Sequence, residues 1–101
     1  MNQAQMMAQV RKMQQEMAKA QEDIAGNSVE GSAAGGLVTV AMSGDFRVTK
    51  VVLKPDAVDP SDVETLEDLI VVAFNDARGK AEAYAAQRMG SVTGGLKIPG
   101  M

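Results

Sequence analysis

The chain contains no histidine, no cysteine and no tryptophan. Without histidine a Ser-His triad cannot be assembled. Without cysteine there is neither a disulfide framework nor a thiolate metal site, a composition that fits a reducing cytoplasm. The only aromatics are Phe46, Phe74 and Tyr84, so no aromatic ladder exists on which bases could stack. Long apolar runs are lacking too. No stretch approaches the ~18 residues of a membrane span, and the polar start from Met1 to Gln5 does not read as a signal peptide.

What is present reads as assembly and binding. The apolar fraction is 46%, contributed mostly by Ala, Val and Met. A core of small side chains buries little area per residue, so oligomerisation is an expected source of stability. The length suits one small domain, residues 1–101. Met6, Val10, Met13, Met17, Ala20 and Ile24 follow one another at spacings of four and three. Such an a/d seam wants a helical partner. It predicts a helical arm over 1–25, with Arg11, Lys12 and Lys19 pointing away from the seam.

Charge is unevenly placed. Residues 1–20 hold Arg11, Lys12 and Lys19 against Glu16, and residues 75–101 hold Arg78, Lys80, Arg88 and Lys97 against Asp76 and Glu82, a balance of +2 at each end. The middle, 21–74, carries three basic and ten acidic residues, and the whole chain is −3. Surface fields follow the distribution and not the sum. Arg11, Lys12, Lys19, Arg78, Lys80 and Arg88 are therefore the candidate phosphate contacts. No helix-turn-helix or zinc module accompanies them, so any DNA binding should be largely independent of sequence.

Residues 26–36 are Gly- and Ser-rich and read as a flexible linker, or in part as a weak edge strand around Asn27 to Ser32. Leu37 to Met42 and Phe46 to Lys54 read as strands joined at Ser43-Gly44-Asp45 in an antiparallel hairpin. Alternation breaks phase in the second strand, which calls for a bulge near Thr49-Lys50 or burial of both faces. The sheet region is 26–55. A long helix is expected over 59–89, capped by a Ser61/Glu64 box or by Asp59 before Pro60, and stopped by Gly90. Residues 90–101 would form a mobile tail. The stretch from Leu69 to Phe74 is apolar all round, which asks for a second chain to cover it.

Other motifs are weaker. Asp56, Asp59, Asp62 and Glu64 match no calcium loop and are better explained by helix capping. Gly35-Gly36 and Gly94-Gly95 lack the Lys-Ser/Thr of a phosphate loop and any dinucleotide fingerprint. No metal, cofactor, small-molecule substrate or membrane partner is expected, and no catalysis.

Several runs together resemble a known family: Gly-Leu-Val-Thr-Val-Ala-Met-Ser-Gly (36–44), Val-Thr-Lys-Val-Val-Leu-Lys-Pro (48–55), Leu-Glu-Asp-Leu-Ile-Val-Val-Ala-Phe-Asn-Asp-Ala (66–77) and Met-Gly-Ser-Val-Thr-Gly-Gly-Leu-Lys-Ile-Pro-Gly (89–100). The chain resembles the YbaB/EbfC nucleoid-associated proteins over nearly its whole length. That resemblance implies an α+β fold, an α-β-β-β-α protomer with a three-stranded antiparallel sheet, and so favours a short strand within 26–34. It implies a tweezer-like homodimer that binds double-stranded DNA in the cytoplasmic nucleoid and alters its conformation, without enzyme activity or cofactor. Leu66, Leu69, Ile70, Phe74 and Ala77 are the expected dimer interface. The competing reading is a coiled-coil module that docks a protein partner through the Met-rich first helix.

Overall fold

The computed structural model describes residues 2–93. Helix α1 spans Gln3–Gly26, strand β1 Ser28–Ala33, β2 Val38–Ser43, β3 Val48–Leu53 and helix α2 Val63–Thr93. This is the α-β-β-β-α order, and the sheet is antiparallel with strand order β1-β2-β3. A strand does occupy the Gly/Ser-rich segment after α1, at the sheet edge, where small residues are tolerated.

Helix α1 starts on a capping box. The Asn2 side chain accepts from the Gln5 backbone N–H at 2.8 Å, and the Gln5 side chain accepts from the Asn2 N–H at 3.4 Å. Asn2-x-x-Gln5 is thus the reciprocal pattern that satisfies two orphan donors.

The hairpin between β2 and β3 departs from the expectation that Phe46 begins a strand. Ser43 N–H donates to Arg47 O at 2.9 Å and Phe46 N–H donates to Ser43 O at 3.0 Å, so the connection runs through Arg47. Phe46 adopts a left-handed φ of 68°, which no regular strand accommodates. The phase break is a bulge. Register passes from Ala41–Lys50 directly to Met42–Val48, leaving Thr49 as the extra residue. The slip returns Val48 to the face shared by Val51 and Leu53.

Helix α2 lies across β1 and β2. Ala73, Ala77 and Ala81, four residues apart, are fully buried against Val38, Val40 and Met42. Alanine keeps the helix close, and Gly31 lets it come closer still. A Cβ at Gly31 would fall 2.1 Å from Ala77 N and 2.3 Å from Ala73 O. The side chains of α2 also cap the outer edge of β1. Asp76 accepts from Ser32 N–H at 3.0 Å, and Lys80 Nζ donates to Glu30 O at 2.9 Å. That edge is therefore closed to further strand pairing.

The two ends of α2 correct the sequence reading. Its cap is Asp62, not Ser61 or Asp59. The Asp62 carboxylate accepts from Thr65 N–H at 3.3 Å and from Thr65 Oγ1 at 2.6 Å. Asp59 instead closes the preceding turn by accepting from Ser61 N–H and Oγ. Gly90 does not end the helix, which continues to Thr93. One glycine costs only about 1 kcal/mol in a helix, and buried Val92 and the Arg88–Ser91 hydrogen bond hold the last turn. The tail assigned to 90–101 lies, from residue 94 on, outside the described residues.

Much apolar surface remains uncovered. All six residues of β3 are exposed, as are Val71 (57%) and Val72 (54%) on α2. The radius of gyration is 19.8 Å and the longest dimension 71 Å, against about 13 Å for the radius of a compact chain of this length.

Candidate nucleic-acid interface

The elongation comes from α1, whose base is fixed to the sheet and whose first turns project. At the base, Gly44 packs on the α1 terminus so tightly that a Cβ there would lie 2.1 Å from Ile24 O. Gly44 N–H donates to Asn27 O at 3.1 Å. Arg88 of α2 grips Asp23 of α1, with Nη2 and Nε at 2.9 and 3.2 Å from one carboxylate oxygen. Ala20, Ile24 and Val92 are buried at this junction. The partner of the lower seam is thus the last turns of α2. The upper seam has none among the described residues: Met6 is 54% exposed, Val10 50% and Met17 38%, with Met13 half-buried.

The six candidate cations divide into two sets. Arg11, Lys12 and Lys19 are exposed on the arm and form no ion pair with any described residue. Lys12 and Lys19 are seven residues apart and share one face, with about 10 Å between them along the axis. The other three are engaged. Arg78 pairs with Glu82 at 2.9 Å and lies over the Phe46 ring, 5.6 Å from its centroid. Lys80 pairs with Asp76 at 3.4 Å, and Arg88 with Asp23. The N-terminal half of the set thus forms no ion pair with a described residue, with Glu16 on the same face between Lys12 and Lys19, and the C-terminal half serves the protomer's own architecture. Two cations outside the set, Lys50 and Lys54, are also exposed and form no ion pair with a described residue. They were hidden within the acidic middle segment. Counting charge along the chain obscures what β-alternation places on one face.

Two acids, Asp76 and Asp59, are held by hydrogen bonds as well. The Ser32 N–H, and secondarily Lys80, hold the Asp76 carboxyl below its usual range, and the Ser61 hydrogen bonds do the same for Asp59. No group of three or more potential ligands capable of holding a metal occurs among the described residues. No described helix is long and apolar enough to cross a membrane.

The residues expected at a dimer interface face the protomer's own sheet. Leu66, Leu69, Ile70 and Phe74 pack half-buried against the core, and Ala77 is fully buried beneath Gly31. Ala77 thus has no surface left to offer a partner, because the close helix–strand approach uses it.

Residues 1–96 match the model of the YbaB/EbfC DNA-binding family. A nucleoid-associated protein of Chloroflexus aurantiacus is 50% identical over 97 residues, covering 96% of this chain and 97% of that protein. One from Pelotomaculum thermopropionicum is 46% identical over 100 residues, covering 99% and 95%. In fold, the crystal structure of the uncharacterized protein HP0035 from Helicobacter pylori superposes with a TM-score of 0.74 at 18% identity, covering 96% of this chain and 99% of that one. A projecting helical arm on an α-β-β-β-α body, a family model matched over residues 1–96 and sequence identity near one half over nearly the full length lead to one assignment: this chain belongs to the YbaB/EbfC DNA-binding family.

Proposed function

We propose that this chain is a nucleoid protein that acts as a homodimer, holds duplex DNA by its phosphates through the α1 arms, and bridges or compacts it without reading sequence. The YbaB/EbfC proteins are non-enzymatic nucleoid-associated proteins, so the functional question is how the duplex is held. The observation that carries the reading is that Arg11, Lys12 and Lys19 are exposed along α1 and form no ion pair with a described residue. Phosphate contacts of this kind position a protein and carry no base information. Arg78, Lys80 and Arg88 play a lesser part, because an acidic partner already offsets each.

Dimerisation rests on the uncovered apolar surface. Val48, Val51 and Leu53 lie on the same sheet face as Val38, Val40 and Met42, yet α2 covers only β1 and β2. A second copy would fill that strip, meeting the open sides of Ile70 and Phe74 together with Val71, which lie on the β3 side of α2. Two protomers then present two arms, the minimum needed to clasp or bridge a duplex.

The test is a binding titration of the full chain and of the Arg11→Gln/Lys12→Gln/Lys19→Gln variant on two unrelated duplexes of equal length. Wild type should bind both within a few-fold, and the variant should weaken on both alike. Strong preference for one duplex, or no loss in the variant, would contradict the reading.

A further inference from the structure

The outer face of the sheet, opposite α2, is covered by no described element. Antiparallel register places Glu30, Ala41 and Lys50 side by side across it, and next to them Ser32, Thr39 and Val52. Lys54 follows two residues beyond Val52 in extended backbone, with φ −72° and ψ 146°, so the alternation keeps it on this face. Lys50 and Lys54 are therefore about 13 Å apart along the strand edge. Both are exposed, and neither forms an ion pair with a described residue. Between and beside them the side chains are short, and Ser32 and Thr39 add hydroxyls. The one acid in the register, Glu30, lies two strands away from Lys50, about 10 Å across the sheet. The remaining acids of the middle segment lie mainly in the connection to α2 and its first two turns: Asp56, Asp59, Asp62, Glu64, Glu67 and Asp68.

A flat face with two long, free cations over short hydroxyl side chains has the chemistry of a phosphate-backbone contact. An apolar protein partner would have to desolvate both lysines without offsetting them. We propose that the β3 side of this outer sheet face is a second contact surface for duplex DNA, with Lys50 and Lys54 each taking a phosphate while the arm cations take others. The inference rests on the DNA-binding reading above and adds a site on the body to the one on the arm. It implies that DNA is held against the sheet as well as between the arms.

The experiment is the salt dependence of duplex binding for wild type, Lys50→Gln/Lys54→Gln and the charge-preserving Lys50→Arg/Lys54→Arg variant. Circular dichroism melts of all three check that the exposed strand still folds. Each phosphate contact contributes about 0.9 to the slope of log K against log salt. The Gln variant should therefore be flatter than wild type by about 2 per engaged protomer, and the Arg variant should match wild type. Wild-type binding with an unchanged slope in the Gln variant would overturn this inference and leave the arm reading intact. Absence of wild-type binding would remove the DNA reading itself and this inference with it.

Discussion

At the scale of single residues, two contacts set the distance between α2 and the sheet. Gly31 admits the helix backbone so closely that any side chain there meets main-chain atoms, which cannot swing aside. Gly31→Ala should therefore lift α2 and cost about 1–3 kcal/mol or more. A urea titration should show a lower midpoint with little change in slope; an unchanged midpoint would mean the helix has room to spare. Asp76 acts at the neighbouring edge. Its folded carboxyl titrates below the ordinary 3.8 because the charged form accepts from Ser32 N–H. A lowered folded pKa adds stability above the unfolded value, and that stability is lost as pH falls through the folded one. The stability gap between wild type and Asp76→Asn should hold steady from about pH 5 to 8 and close below about pH 4. A gap that widened on acidification would contradict this. Some of these pairs were legible from spacing alone. Asp76–Lys80 and Arg78–Glu82 are i, i+4 neighbours on one helix. Gly31 against Ala77 was not, because only the packed fold brings residues so far apart in sequence into contact.

At the scale of elements, the strands and the phase break of β3 could be read from β-branched residues and alternation. The helix ends were less legible. The start signals read from the sequence, Ser61-x-x-Glu64 and Asp59 before Pro60, were both displaced by Asp62, whose carboxylate accepts from Thr65 N–H. Gly90 fitted a stop signal, but the packing of Val92 on α1 carried the helix past it. The α1 seam was visible from its period, yet its lower half found its partner inside the protomer. That division has a dynamic consequence. The first turns of α1 rely on the Asn2 cap and intrinsic propensity, and isolated helices shorter than about 12–15 residues are marginal in water. Amide hydrogen exchange should be fast from Gln5 to Met13 and slow from Ala20 to Gly26. Arg88→Ala should release the clamp on Asp23 at a cost of about 1 kcal/mol or less, because the pair is partly exposed. It should also extend fast exchange toward residue 20. Uniform protection along α1 would show that the arm is covered over its whole length.

At the scale of the molecule, the three-stranded sheet with one covering helix leaves β3 and the Val71–Val72 face open. The sequence pointed to this surplus in the all-round apolar stretch 69–74. It could not say which residues would remain outside, since that depends on the rotation of α2 about its axis. Light scattering at micromolar concentration should report a dimer. Val71→Asp should shift it toward monomer while the protomer core, which this side chain does not enter, stays folded. A dimeric variant would locate the interface elsewhere.

The charge layout of the whole molecule, free cations on the arms and acids gathered at the start of α2, is what the functional account depends on. It is tested most directly by measuring duplex affinity against salt. A dimer that neutralises roughly 4–8 phosphates should give a slope of log K on log salt of about −4 to −7. Replacing Arg11, Lys12 and Lys19 together with Gln should flatten that slope. A wild-type slope near zero, or an Arg11→Gln/Lys12→Gln/Lys19→Gln variant with the wild-type slope, would contradict the assignment of the arm as the element that grips DNA.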